Sequence, residues 1–180
     1  MLYVVGDVCG VTYLDNIMYV VCDASSTIRL YNTDTLSPLD VVINVTGMRD
    51  PCDIVVCRHD RQLYVADCDC DCIWRVSVDD HSYVEWLTLS STDIFSVNRL
   101  SVTSRRLLVT SSRLSPTVCQ YSTTNKELLC VVQLSQYVQW LYHAVETTYD
   151  TFLIGHWGTS QSKGQQAVSE LFRFCHVLQH

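Results

Sequence analysis

The chain has 180 residues, of which 48% are hydrophobic and 17% charged, and its formal net charge is -7. Such a composition supports a packed core and argues against general disorder. The acidic balance argues against nucleic acid as a general partner, because it repels phosphate backbones.

The opening Met1-Leu-Tyr-Val-Val-Gly-Asp7 has neither the basic region nor the long apolar run of a signal peptide. No stretch reaches the roughly 20 apolar residues that a membrane helix needs. The ten cysteines, irregularly spaced, are therefore expected as free thiols in the cytoplasm. On that basis the glycosylation acceptor pattern Asn44-Val-Thr46 is expected to be silent.

In chain order, short apolar runs alternate with turn residues. The first group predicts strands at Val8 to Thr12, Ile17 to Cys22, Thr27 to Tyr31 and Leu39 to Val45, with Asn32-Thr-Asp-Thr35 and Ser37-Pro38 in its late turn. The second predicts Asp53 to Cys57, the turn Arg58-His-Asp-Arg-Gln62, then Leu63 to Ala66, Ile73 to Ser77 and Tyr83 to Leu87. The third runs through Asn98 to Val102, Leu107 to Thr110, Thr117 to Tyr121 and Leu128 to Leu134. In the fourth come His143 to Glu146, Phe152 to Gly155 and Val168 to Phe174, with a Gly- and Ser-rich insertion from Trp157 to Gln166 expected to be a surface loop.

These groups repeat at about 45 residues. Leu63-Tyr-Val-Ala-Asp67 and Ile73-Trp-Arg-Val76 echo Met18-Tyr-Val-Val-Cys22 with Ile28 to Tyr31, Leu107 to Thr110 with Val118 to Tyr121, and Phe152 to His156 with Leu171 to Phe174. Four short strands per period is the pattern of a β-propeller blade. The predicted fold is all-β, a partial β-propeller of about four blades of four antiparallel strands each. It is expected to form one domain over 1–180, with blades at about 8–45, 53–89, 98–134 and 140–176, and to be incomplete. An open arc of a six-bladed type is expected ahead of closure of a four-bladed ring, in which Leu2 to Val5 would supply a missing strand.

Laying the repeat over itself aligns Asp53, Asn98 and His143 as openers of their inner strands. Hairpin arithmetic then sets Asp53 opposite Asp67 and His143 opposite His156. Inner-strand ends converge at the mouth of a propeller channel, so these residues are the candidate ligand-binding set, with His143 and His156 as candidate metal ligands. The plainer alternative is that they satisfy backbone groups and water in a wet channel. The run Asp67-Cys-Asp-Cys-Asp-Cys72 would suit a soft metal if extended, but it lacks the Cys-x-x-Cys pairs usual in structural zinc sites. A loop drifted toward Asp and Cys is the favoured reading. Trp74, Trp86 and Trp140 are expected between blades, and Trp157 beside His156 as an exposed aromatic anchor.

The run Leu63-Tyr-Val-Ala-Asp67 … Ile73-Trp-Arg-Val76 resembles the NHL-repeat class of propellers, of the six-bladed TolB-like type. In that class a strand ending in Val-Ala-Asp is followed six residues later by an apolar strand opener, as Asp67 and Ile73 are here. Cys70 and Cys72 stand where the family usually carries Asn and Arg. His143-Ala-Val-Glu146 and Thr151-Phe-Leu-Ile-Gly-His156 add a resemblance to propeller proteins of simple animals. The resemblance implies a scaffold binding protein or RNA, or, in its lyase and lactone-hydrolysing relatives, a channel metal.

The functional expectation is a non-catalytic propeller scaffold that binds a protein partner, or another ligand, through its loop face. The surface from His156 to Gln166 and Trp157 is the candidate contact, and association through open blade edges is a further expectation. One alternative is a metal-dependent hydrolase or lyase at the channel mouth. Another is a fragment of a larger NHL-type protein. The sequence names no cofactor.

Overall fold

The computed structural model describes residues 6–89, 97–111, 116–134, 138–148, 151–159 and 165–173. Those residues form fifteen strands and no helix, in four antiparallel sheets. The chain divides into two compact units, Met1–Thr88 and Leu89–His180.

In the first unit, β1 (Val8–Leu14), β2 (Ile17–Cys22), β3 (Thr27–Asn32) and β4 (Pro38–Asn44) make one meander. The strands β5 (Pro51–Cys57), β6 (Gln62–Asp67), β7 (Cys72–Ser77) and β8 (Tyr83–Thr88) make the next. The β1–β2 connection is Asp15-Asn16, with φ of 46° and 56°. Two successive left-handed residues match the right-handed twist of the flanking strands, and Asp and Asn tolerate them best after glycine.

Alternation along β1 to β7 sends one set of side chains to a shared core. Tyr19, Val21, Ile28, Leu30 and Ile43 from the first sheet pack with Ile54, Val56, Leu63, Val65, Trp74 and Val76 from the second. The sheets approach closely at Gly10: a Cβ there would stand 2.7 Å from the Ile54 nitrogen and 3.0 Å from the Asp53 Cα. On the same unit Arg61 ties three turns together, donating to Asp15 at 2.6 Å and to Asp79 at 2.8 Å. The Arg58 guanidinium lies 4.8 Å from the Tyr13 ring centroid.

The second unit holds β9 (Val97–Thr103), β10 (Arg106–Ser111), β11 (Thr117–Ser122) and β12 (Leu128–Gln133), then β13 (Val138–Thr148), β14 (Thr151–Thr159) and β15 (Gln165–Arg173). Leu108, Val118, Cys130 and Val132 pack with Leu141, Ala144, Phe152 and Ile154 in its core. In the segment expected as a loop from Trp157 to Gln166, the described residues, 157–159 and 165–166, are strand. β14 runs on to Thr159, and Gln165 pairs with Thr159, so the hairpin is longer than its apolar residues suggest. Residues 160–164 lie outside those described.

The late turn of three blades has one geometry. Leu36, His81 and Lys126 all take positive φ, at 54°, 58° and 64°. Their amides donate to the carbonyls of Asn32, Ser77 and Ser122, each four residues earlier. Side-chain oxygens of those three residues accept from amides inside the turn, which is why Asn and Ser stand there.

Candidate functional site

Each inner strand carries an extra residue where it approaches its neighbour's end, and β13 has two further register shifts, at Gln139 and Thr147. The register skips Cys9 in β1, Cys52 in β5, Asn98 in β9 and Tyr142 in β13. A bulge of this kind re-aims the side chains that follow it. The observed pairings also differ from those expected from spacing. Asp67 lies opposite Pro51 and Asp53 opposite Ala66, while His156 lies opposite Leu141 and His143 opposite Gly155. Hairpin arithmetic centred the β5–β6 turn on Asp60, but Cys57 pairs with Gln62, half a residue earlier. In β13 a register shift between Glu146 and Thr148 already displaces His143. The skips at Cys52 and Tyr142 then move Asp67 and His156 by one residue more.

The bulges also revise the alignment of repeats. Asp53 and His143 each directly follow a bulged residue and are structural equivalents, whereas Asn98 is itself the bulged residue and matches Cys52. On the second strands, Cys22, Asp67, Ser111 and His156 occupy one equivalent position.

Asp67 is the best-defined of these residues. It is fully buried at the end of β6. One carboxylate oxygen accepts from the Arg49 amide at 2.8 Å and the Trp74 indole N–H at 3.3 Å. The other accepts from the amides of Asp50 and Asp69, both at 3.2 Å, and of Cys70 at 3.3 Å. Five N–H donors use up the lone pairs of a carboxylate. Asp67 thus fixes the entry to β5, the β6–β7 turn and the indole of β7 at one point.

Ligand atoms of Asp67, Cys70 and Cys72 all lie within 4.8 Å of one another. Burial, and next the Asp67 charge, push the Cys72 thiol well above its ordinary range, and burial does the same to Cys70. Thiolate is the metal-binding form, so the trio as built favours protonated sulfur beside an already saturated carboxylate.

At the first residue of the β6–β7 turn, Cys68 is bonded to Cys52, with Cα atoms 6.1 Å apart. This corrects the expectation of ten free thiols. The bulge supplies the reason, because it places the extra residue Cys52 beside the chain that leaves Asp67. Among the described residues, Cys9, Cys22, Cys57, Cys70, Cys72, Cys119 and Cys130 lie outside this disulfide. The same end of the unit carries an acid pair. The Asp50 carboxyl is raised above its usual range, first by a hydrogen bond shared with Asp23 and then by burial. Asp50 also accepts from the Ala24 amide at 3.4 Å.

The remaining candidates are dispersed. Asp53 is half-buried and accepts from the Ile54 amide at 2.9 Å. Asn98 donates to the Leu141 carbonyl at 2.9 Å. His143 is exposed, His156 is buried at 5% exposure, and the two stand one register step apart. Trp157 pairs through its backbone with Trp140 and Ala167; its side chain lies outside those described.

Sequence reasoning passed over Glu146, which gathers three side chains in the second unit. Its carboxylate accepts from Arg106 at 2.9 Å, Thr103 at 2.7 Å and Gln120 at 3.1 Å. Ser101 adds a 2.7 Å hydrogen bond to the Ala144 carbonyl, so polar side chains of β9 stitch it to β13. The signal available was Glu146 itself, a charged residue inside an apolar strand, which demands a partner.

No family model matches the chain, and no curated protein matches it in sequence. Solved structures do match its fold. Hydrazine synthase of Kuenenia stuttgartiensis is similar with a TM-score of 0.66 at 13% identity, over 83% of this chain and 43% of that one. A chain of a nidogen/laminin complex gives 0.68 at 16%, over 92% and 60%. The N-terminal domain of Nup159 gives 0.62 at 10%, over 95% and 46%. The chain therefore spans between about two fifths and three fifths of the length of these propeller-type structures. With its four antiparallel sheets, the fold is an all-β, partial β-propeller of four blades.

Proposed function

We propose that this chain is a non-catalytic scaffold, part of a larger propeller of the NHL type, that presents its loops to a protein partner. The observation carrying this reading is that its prominent polar residues are committed to holding strands. Asp67 receives five N–H groups, Asn98 binds a backbone carbonyl, and Glu146 gathers three side chains. Groups so engaged are poorly placed to bind and release substrate. The part played by Asp67 also suits the strand-ending Asp of the NHL resemblance.

A protein partner fits the charge better than nucleic acid does. The net charge is -7, and Arg61 and Arg106 are paired with acidic side chains. A net negative charge repels a phosphate backbone.

The test is proximity labelling by the full chain in its source cells, followed by titration of each purified candidate. Saturable binding should be lost on Ala24→Lys or Asp69→Lys, which alter exposed β2–β3 and β6–β7 turns. It should survive Asp34→Lys in the β3–β4 turn. Binding indifferent to both sets would overturn the proposal, as would stoichiometric metal accompanied by hydrolytic turnover.

A further inference from the structure

The acceptor pattern Asn44-Val45-Thr46 straddles the end of a strand. Asn44 closes β4, the outermost strand of its sheet, and is exposed. Val45 beside it is fully buried and donates its amide to the Ser26 carbonyl at 2.9 Å. The chain then turns through exposed Thr46 and through Gly47 at φ of 102°, closing with the Met48 amide on the Val45 carbonyl at 3.1 Å. Anchoring Val45 inward holds the neighbouring carboxamide outward, with room for a bulky group.

Two further observations bear on it. Eight residues on, Cys52 is bonded to Cys68 in the same unit. Disulfides of this kind persist in oxidising compartments, where N-linked transfer also takes place. And β4 is an edge strand that exposes Val41 and Val42, each at 46%. An exposed apolar edge invites strand addition unless something covers it.

We infer that Asn44 carries an N-linked glycan, on a chain that folds along an oxidising secretory route. The carboxamide nitrogen of Asn44 attacks the anomeric carbon of a lipid diphosphate-linked oligosaccharide. A C–N bond forms, the anomeric C–O bond breaks, one amide proton is released and the lipid diphosphate leaves. In the same compartment, Cys52 and Cys68 pass two electrons and two protons to a disulfide-bearing oxidant, which departs as a dithiol. Four of the remaining thiols are compatible with that route. Cys22, Cys57, Cys72 and Cys119 are buried and raised above their ordinary range by that burial, so little reactive thiolate is available.

The test uses the full chain purified from its source cells and alkylated without reduction. Treatment with peptide N-glycosidase in heavy-oxygen water should lower the intact mass and leave labelled Asp at position 44. Peptide mapping should recover Cys52 linked to Cys68. Asn44→Gln and Thr46→Ala should abolish the mass shift, while Thr46→Ser should keep it. Asn44 recovered as unmodified Asn, with or without the disulfide, overturns the inference. So does a glycan that survives Asn44→Gln.

Discussion

The Glu146 carboxylate on β13 accepts the Arg106 guanidinium of β10 at 2.9 Å, with side-chain exposures of 7% and 21%. This pair joins two sheets of the second unit and is largely withdrawn from water. Removing one partner of such a pair leaves the other charge buried, so Arg106→Met is expected to cost about 3 kcal/mol. Urea denaturation measures it. Glu146→Gln should cost less than Glu146→Ala, because an amide still offers an oxygen to Thr103 or Gln120. A double-mutant cycle giving no coupling between positions 106 and 146 would refute the pairing.

Asp67→Ala strands five donors at once and is expected to destabilise the first unit by roughly 3 kcal/mol. Asp67→Asn should fall between it and the parent, since one oxygen remains and the new N–H₂ faces N–H groups. Tryptophan fluorescence should report the change too, through the released Trp74 indole.

Gly10→Ala should cost about 2 kcal/mol, because the added methyl would meet Ile54 and Asp53 backbone rather than a yielding side chain. Gly155→Ala is the control. Its Cβ would find nothing closer than the His143 carbonyl at 3.8 Å, and the change should stay within about 0.5 kcal/mol. Equal effects at both sites would contradict the close approach of the two sheets at Gly10.

The Asp23–Asp50 pair makes stability depend on acid. Asp50 has a folded pKa raised above its unfolded value, so its contribution is complete at low pH and is lost as pH climbs through the raised value. Asp50→Asn mimics the protonated form. It should therefore stabilise the protein at pH 7 and have little effect near pH 3. Stability curves measured across that range check the sign, and a variant less stable at pH 7 would count against a shared proton.

Joining Cys52 to Cys68, 16 residues apart, restricts the unfolded chain. Loop-closure entropy for a loop of this size amounts to about 3 kcal/mol. The double variant Cys52→Ala with Cys68→Ala should lower stability by a comparable amount. Adding reductant should then change it no further, whereas the parent should move toward the variant.

Much of the architecture was legible because strands announce themselves locally. Ile17–Cys22 has the same limits in sequence and structure, and Ile73 to Ser77 differs only by the addition of Cys72. Both rest on runs of β-branched or aromatic residues between turn residues. The site was less legible. Spacing alone set Asp53 against Asp67 and His143 against His156, and a turn centred half a residue earlier than Asp60 in one blade and repeated register shifts in the other moved both pairs. Nor could spacing show that Glu146 collects Arg106, Thr103 and Gln120 from three other strands.

The period of about 45 residues and its short apolar runs determined the blades by themselves, since alternation and turn chemistry act over a few residues. Tertiary structure decided what the polar residues do. Bulge position, the reach of Asp67 into the turn before β5 and the union of Cys52 with Cys68 depend on which backbone atoms meet across strands. Those meetings couple residues 16 to 18 positions apart or more, beyond the reach of local pattern.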